Sequence, residues 1–295
     1  MRSLQRFAAA RPLPFVLLAM VAWIVIAGLA VLVAARVLHV PSGGNVAQSL
    51  GMLTATACLL WLMRSWGWLR VAGVTALGSR RLWMVTAGLT VYVVIGYQIG
   101  FFGGIALNTS SPWDSGVAQS ILAGQAVVGI AEEFLFRGLL LCALVQAWGK
   151  SRRGLLAAVT VPALLFGLTH IAQVSAGNPL DDTLMTMLNG LVSGLWYGAF
   201  VLLGGSIWPA VLFHAASNAS FQIAAASLPG FDPAVTDYAA ATAFELPLVI
   251  AGLWLLLRKM PGFRATARSE QGARLRSCAP TITQLLLSER RKEFK

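Results

Sequence analysis

Long apolar runs separated by short polar segments dominate this chain from residue 13 to about residue 257. Charge-free stretches longer than about 18 residues can cross a bilayer as helices, because backbone groups in hydrocarbon must be bonded within their own segment. The pattern therefore predicts an all-α fold: a polytopic transmembrane helix bundle of about eight spans. Their expected positions are roughly 13–35, 46–63, 82–105, 117–147, 154–176, 183–203, 206–226 and 238–257. Arg2, Arg6 and Arg11 precede the first run, and Val33-Ala34-Ala35 looks like a cleavage site. The run is nevertheless too long for a signal-peptide core of about 7–15 residues, so a retained span is expected.

Composition agrees with this pattern. Of 295 residues, 57% are hydrophobic and 11% charged, whereas about a quarter of residues in soluble domains are charged. Four segments are expected. Residues 1–116 hold the first three spans, 117–226 a catalytic core of four spans, 227–260 the final span and 261–295 a basic cytoplasmic tail. The tail patch Leu285-Leu286-Leu287, beside Arg290, Arg291 and Lys292, is expected to rest on the membrane surface. Cys58, Cys142 and Cys278 show no disulfide framework or metal-knuckle spacing and read as small apolar residues.

The net charge of +11 would suggest a nucleic-acid partner if it were spread evenly. It is not. With the N-terminus in the cytoplasm, 20 of the 22 basic residues fall in inside segments, including Arg80, Arg81, Lys150, Arg152, Arg153 and the tail. Asp114, Asp181, Asp182, Asp232 and Asp237 fall outside. This is the positive-inside distribution, and it predicts both termini in the cytoplasm of a multi-pass cell-membrane protein. The basic excess then serves topology, with some affinity for anionic lipid and no nucleic-acid partner.

Ionisable groups inside spans cost at least about 2.5–3.5 kcal/mol each, so they mark where chemistry is expected. The fourth span contains Glu132, Glu133 and Arg137. Glu133 and Arg137 stand one helical turn apart and can pair. Glu132 points about 100° away, which leaves it as a candidate proton acceptor. His170 lies in the fifth span, and His214 and Asn218 share a face of the seventh. Peptide hydrolysis needs a base for water and donors for the oxyanion. A carboxylate with an imidazole can supply the first, and an imidazole with a carboxamide the second. No HExxH helix is present for a zinc protease. Ser193-Gly194 lacks the preceding glycine of the rhomboid pattern, and no aspartate pair lies in the spans. Glu245 in the last span reads as an acid hydrogen-bonded between helices.

Glu132-Glu133-x-x-x-Arg137, Phe166-x-x-x-His170 and His214-x-x-x-Asn218 together resemble the three motifs of the CPBP intramembrane proteases. This is the CAAX-protease and bacteriocin-processing (Abi) family, which includes the CAAX-prenyl endopeptidases. The resemblance covers about residues 117–226 and implies a membrane endopeptidase. It implies Glu132 as the base on water with His170 assisting, His214 and Asn218 as the oxyanion site, and Glu133 with Arg137 as a supporting pair. The implied substrate is a membrane-associated peptide or protein, with or without a prenyl group. No cofactor is implied for the CAAX-endopeptidase branch. The alternatives are one zinc ion held by Glu132, His170 and His214, or a non-catalytic immunity, regulatory or transport protein.

Depth adds one expectation. At about 1.5 Å per residue, Glu132 and His170 lie roughly 21 and 24 Å from their inside span ends, but His214 only roughly 12 Å. The three can meet if the turn Gly204-Gly205-Ser206 is sunk below the surface and buried in protein or at a cavity.

Overall fold

A computed structural model describes residues 2–39, 41, 45–104, 115–175, 177–228 and 230–270. Its elements are α1 (Arg2–Ala10), α2 (Pro12–Val37), α3 (Asn45–Ser65), α4 (Arg80–Phe102) and α5 (Ser115–Glu133). A π-helical segment, Phe134–Leu140, leads into α6 (Leu141–Trp148). Then follow α7 (Arg152–Thr169), α8 (Ala172–Ser175), α9 (Leu180–Gly204), α10 (Trp208–Ser227) and α11 (Val235–Glu270). No strand occurs among the described residues, so the fold is the expected helical bundle.

Among the described residues, six helical stretches are long and apolar enough to cross a membrane: Pro12–Val37, Val46–Ser65, Arg80–Phe102, Arg152–Ser175, Leu180–Gly204 and Val235–Arg258. The other two expected spans are helical but different in kind. The stretch anticipated at 117–147 changes its hydrogen-bond pattern at the π segment. Helix α10 carries His214, Ser217, Asn218, Ser220 and Gln222, which dilute its apolar character. Helix α11 also continues to Glu270, beyond the expected end of the last span. Asp114, Cys278 and the Leu285–Leu287 patch lie outside the described residues.

Every residue from Glu133 to Val145 is buried, as expected for a helix enclosed on all sides. Two close approaches set the elements around this axis. Gly190, Gly194 and Gly198 lie one turn apart on α9 and meet α7 along its length. A Cβ at Gly194 would lie 2.7 Å from Ala163 Cβ, and one at Gly198 would lie 3.3 Å from Val159 Cγ1. Lipid tails are as apolar as side chains, so helices in membranes gain by close backbone contact of this kind. Likewise, a Cβ at Gly129 would lie 3.0 Å from the Val211 carbonyl oxygen, which seats α10 against the turn preceding Glu132.

The turn after α9 is buried in protein. Gly205 takes a left-handed conformation (φ 69°), and Ser206 has no exposed surface. The segment between α3 and α4 covers it: Ile207 N–H donates to Gly73 O (3.3 Å) and Trp208 Nε1 to Val74 O (2.9 Å). By contrast, residues 150–153 are exposed.

Candidate active site

Glu132, His170, His214 and Asn218 line one cavity of about 430 Å³ between α5, α7, α9 and α10. The structure therefore brings together residues up to 86 positions apart in the chain. Adjacent glutamates face different surroundings. The Glu132 side chain is 22% exposed, toward the cavity, whereas Glu133 is fully buried. The helical offset of about 100° per residue accounts for this division.

Glu133 pairs with Arg137 as the spacing requires, Nη1 to Oε1 at 2.7 Å. It also holds a partner that spacing could not reveal: His214 Nδ1 lies 2.9 Å from the same oxygen. The other ring nitrogen, His214 Nε2, lies 3.5 Å from Glu132 Oε2. His214 therefore bridges the two glutamates, and the supporting pair touches the site directly. Arg137 is 2% exposed, and its guanidinium carbon lies 4.7 Å from the Phe166 ring centroid and 5.2 Å from that of Tyr197. Two aromatic faces thus replace water around this buried cation.

Phe166 also stands between the histidines, with ring centroids 5.3 Å from His170 and 5.6 Å from His214. His170 sits at the C-terminal end of α7 rather than inside a longer helix. There Thr169 Oγ1 donates to Phe166 O at 2.6 Å, and His170 Nδ1 lies 3.1 Å from the same oxygen. These bonds occupy the carbonyl that a continuing helix would need. A carbonyl only accepts, so Nδ1 carries the hydrogen and Nε2 is the accepting nitrogen of the neutral ring.

Asn218 Nδ2 donates to Gln125 Oε1 (3.1 Å), which leaves its second N–H free to donate. Sequence reasoning missed Gln125. Its signal was its place seven residues before Glu132, two turns along one helix face. Two further residues left unassigned by sequence, Asn189 and Tyr197, line the cavity with Tyr97 and Ser193. Tyr97 donates to Asn189 Oδ1 (2.7 Å), and Asn189 Nδ2 donates to Thr242 Oγ1 (3.1 Å). Glu245, 1% exposed, accepts from Ser193 Oγ (2.6 Å) and Trp196 Nε1 (3.1 Å), the interhelical bonding expected of it.

Among the described residues no three His, Cys, Asp or Glu side chains are grouped to hold an ion. In both histidines Nδ1 is held, by Glu133 and by the Phe166 carbonyl, which leaves Nε2 of each ring for other partners.

A carboxylate, two imidazoles and a carboxamide thus surround one cavity inside a helical bundle, the groups that hydrolysis of a peptide bond requires. Residues 114–220 match the family model described as Type II CAAX prenyl endopeptidase Rce1-like. The matched stretch runs from the start of α5 through most of α10, holds all the candidate site residues, and supports a membrane endopeptidase of the CAAX-protease kind. Comparison with curated proteins and with solved structures finds no match.

Proposed function

We propose that this protein cleaves a peptide bond in a membrane-associated peptide or protein, with or without a prenyl group, using Glu132 as the base on water. The observation that supports this most is the division between two adjacent glutamates: Glu133 is buried on Arg137 and His214, while Glu132 is left facing the cavity. Glu132 accepts a proton from the attacking water, assisted by the accepting Nε2 of His170. The hydroxide adds to the scissile carbonyl carbon. The oxyanion receives hydrogen bonds from His214 Nε2 and the free N–H of Asn218. For His214 to donate from Nε2 while Nδ1 donates to Glu133, the ring carries both protons. Arg137 and this imidazolium then balance the two carboxylates. Collapse of the intermediate breaks the C–N bond, and the proton held by Glu132 passes to the leaving nitrogen.

Residues 117–226 form the catalytic unit in this reading, flanked by spans at 1–116 and 227–260. The protein lies in the cell membrane with both termini cytoplasmic, in keeping with its charge distribution. The reaction requires no cofactor, so activity is expected to survive exhaustive chelation. Stoichiometric zinc lost with activity and restored with it would replace this scheme. The direct test compares peptides released from membranes containing wild-type protein or Glu132→Gln. Products from wild type alone are expected; identical products from both would remove Glu132 from catalysis and favour a non-catalytic role.

A further inference from the structure

A second concavity, sharing no lining residue with the first, lies between α4, α9 and α11. Val85 and Leu89 of α4, Phe200 and Leu203 of α9, and Leu248 and Leu255 of α11 line a groove of about 520 Å³. Its lining is apolar except at one end, where Arg81 and Ser79 enter it. The three helices converge in a consistent sense. From the Arg81 end the groove runs along α4 to Leu89, along α9 from Gly204 back to Trp196, and along α11 from Leu255 back to Leu248. Eight residues of helix, Arg81 to Leu89, span about 12 Å. The small side chains of Gly204, Ala251 and Gly252 leave the space unfilled by protein.

The charge at the mouth is as informative as the apolar lining. Arg81 forms no ion pair among the described residues. Arg80 is its neighbour, and Arg258 follows Leu255 by three residues, with its guanidinium stacked 3.8 Å from the Trp254 centroid. An apolar slot between helices, with an unpaired arginine at one end, matches a molecule with a long hydrocarbon chain and an anionic head. We infer that this groove binds one anionic glycerophospholipid, with an acyl chain along α4, α9 and α11 and its phosphate at Arg81. The innermost contact of that chain is the Trp196 ring, which lines the groove and donates through Nε1 to Glu245. The site is separate from the proteolytic cavity and does not depend on the proteolytic reading.

The test uses full-length protein in detergent, incubated with phosphatidylglycerol or phosphatidylcholine, with bound lipid counted by native mass spectrometry. Wild type is expected to retain one phosphatidylglycerol in preference to phosphatidylcholine. Arg81→Ala is expected to lower phosphatidylglycerol retention about fivefold, the effect of about one basic contact at an anionic lipid. Ala251→Trp places a large ring in the groove from an exposed position and is expected to abolish retention of the chain. Arg152→Ala, at the exposed start of α7 and outside the groove lining, is expected to change nothing. Equal retention of both lipids, retention unaffected by Ala251→Trp, or an equal loss in Arg152→Ala and Arg81→Ala would each overturn the assignment. If Ala251→Trp fails to fold, the ratio between the two arginine variants decides.

Discussion

Two acidic centres lie within the bundle, both reached by Ser193 of α9, and they differ in what surrounds them. At the first, Glu132 and Glu133 meet an imidazole, a guanidinium and an open cavity. At the second, Glu245 meets a serine hydroxyl and an indole N–H. Both are rare acids in membrane spans, and both are hydrogen-bonded. Only the first combines a carboxylate facing a cavity with a guanidinium and an imidazole beside its neighbour. Burial of a carboxylate therefore identifies a place where polarity is costly, and its partners decide whether that place can do chemistry.

The largest effect expected from this contrast is on rate. Glu132→Gln keeps the shape of the side chain but removes the base, so cleavage should fall by about 10²–10⁴-fold with little change in stability. Initial rates on a purified substrate, read beside thermal unfolding, check both halves. A comparable loss in both measurements would make Glu132 structural, like its neighbour.

Glu133→Gln should act mainly on stability. It leaves Arg137, 2% exposed, without a charged partner, a change that costs about 3–5 kcal/mol in buried pairs. Unfolding in detergent should report a loss of that size, while Glu133→Gln/Arg137→Met should recover part of it. Failure of the double variant to recover would break the proposed pairing energetics.

Glu245→Gln should have a smaller effect. The amide oxygen can still accept from Ser193 and Trp196, so the expected loss is about 1 kcal/mol, the scale of one altered hydrogen bond. Activity should stay within about tenfold of wild type, since 1.36 kcal/mol is a factor of ten in rate. A loss equal to that of Glu132→Gln would dissolve the distinction between the two centres.

The smallest effect concerns access. Gly205 is buried and Arg152 exposed, so a cysteine at 205 should react more slowly with a bulky impermeant thiol reagent than one at 152. Equal labelling rates would show that the segment between α3 and α4 does not cover the turn after α9.

Much of the molecule was legible before its coordinates. A bilayer demands long apolar helices, so the bundle could be read from run length alone. The Glu133–Arg137 pair followed from a spacing of four, because neighbours on one helix turn are fixed by local geometry. The candidate site residues stood out because ionisable groups in apolar helices are few. The sequence also held signals that were passed over: the Gly190, Gly194, Gly198 row that seats α9 on α7, and Gln125 two turns before Glu132.

What local pattern could not reach were contacts between helices. The π-helical turn after Glu133, the break at His170, the bridge from His214 to both glutamates and the Gln125–Asn218 bond depend on how α5, α7 and α10 approach one another. Periodicity determines which residues share a helix face. Which face meets which is decided by packing, where the positions of Gly129 and Gly194 set the distances at which side chains from separate helices come into hydrogen-bonding range.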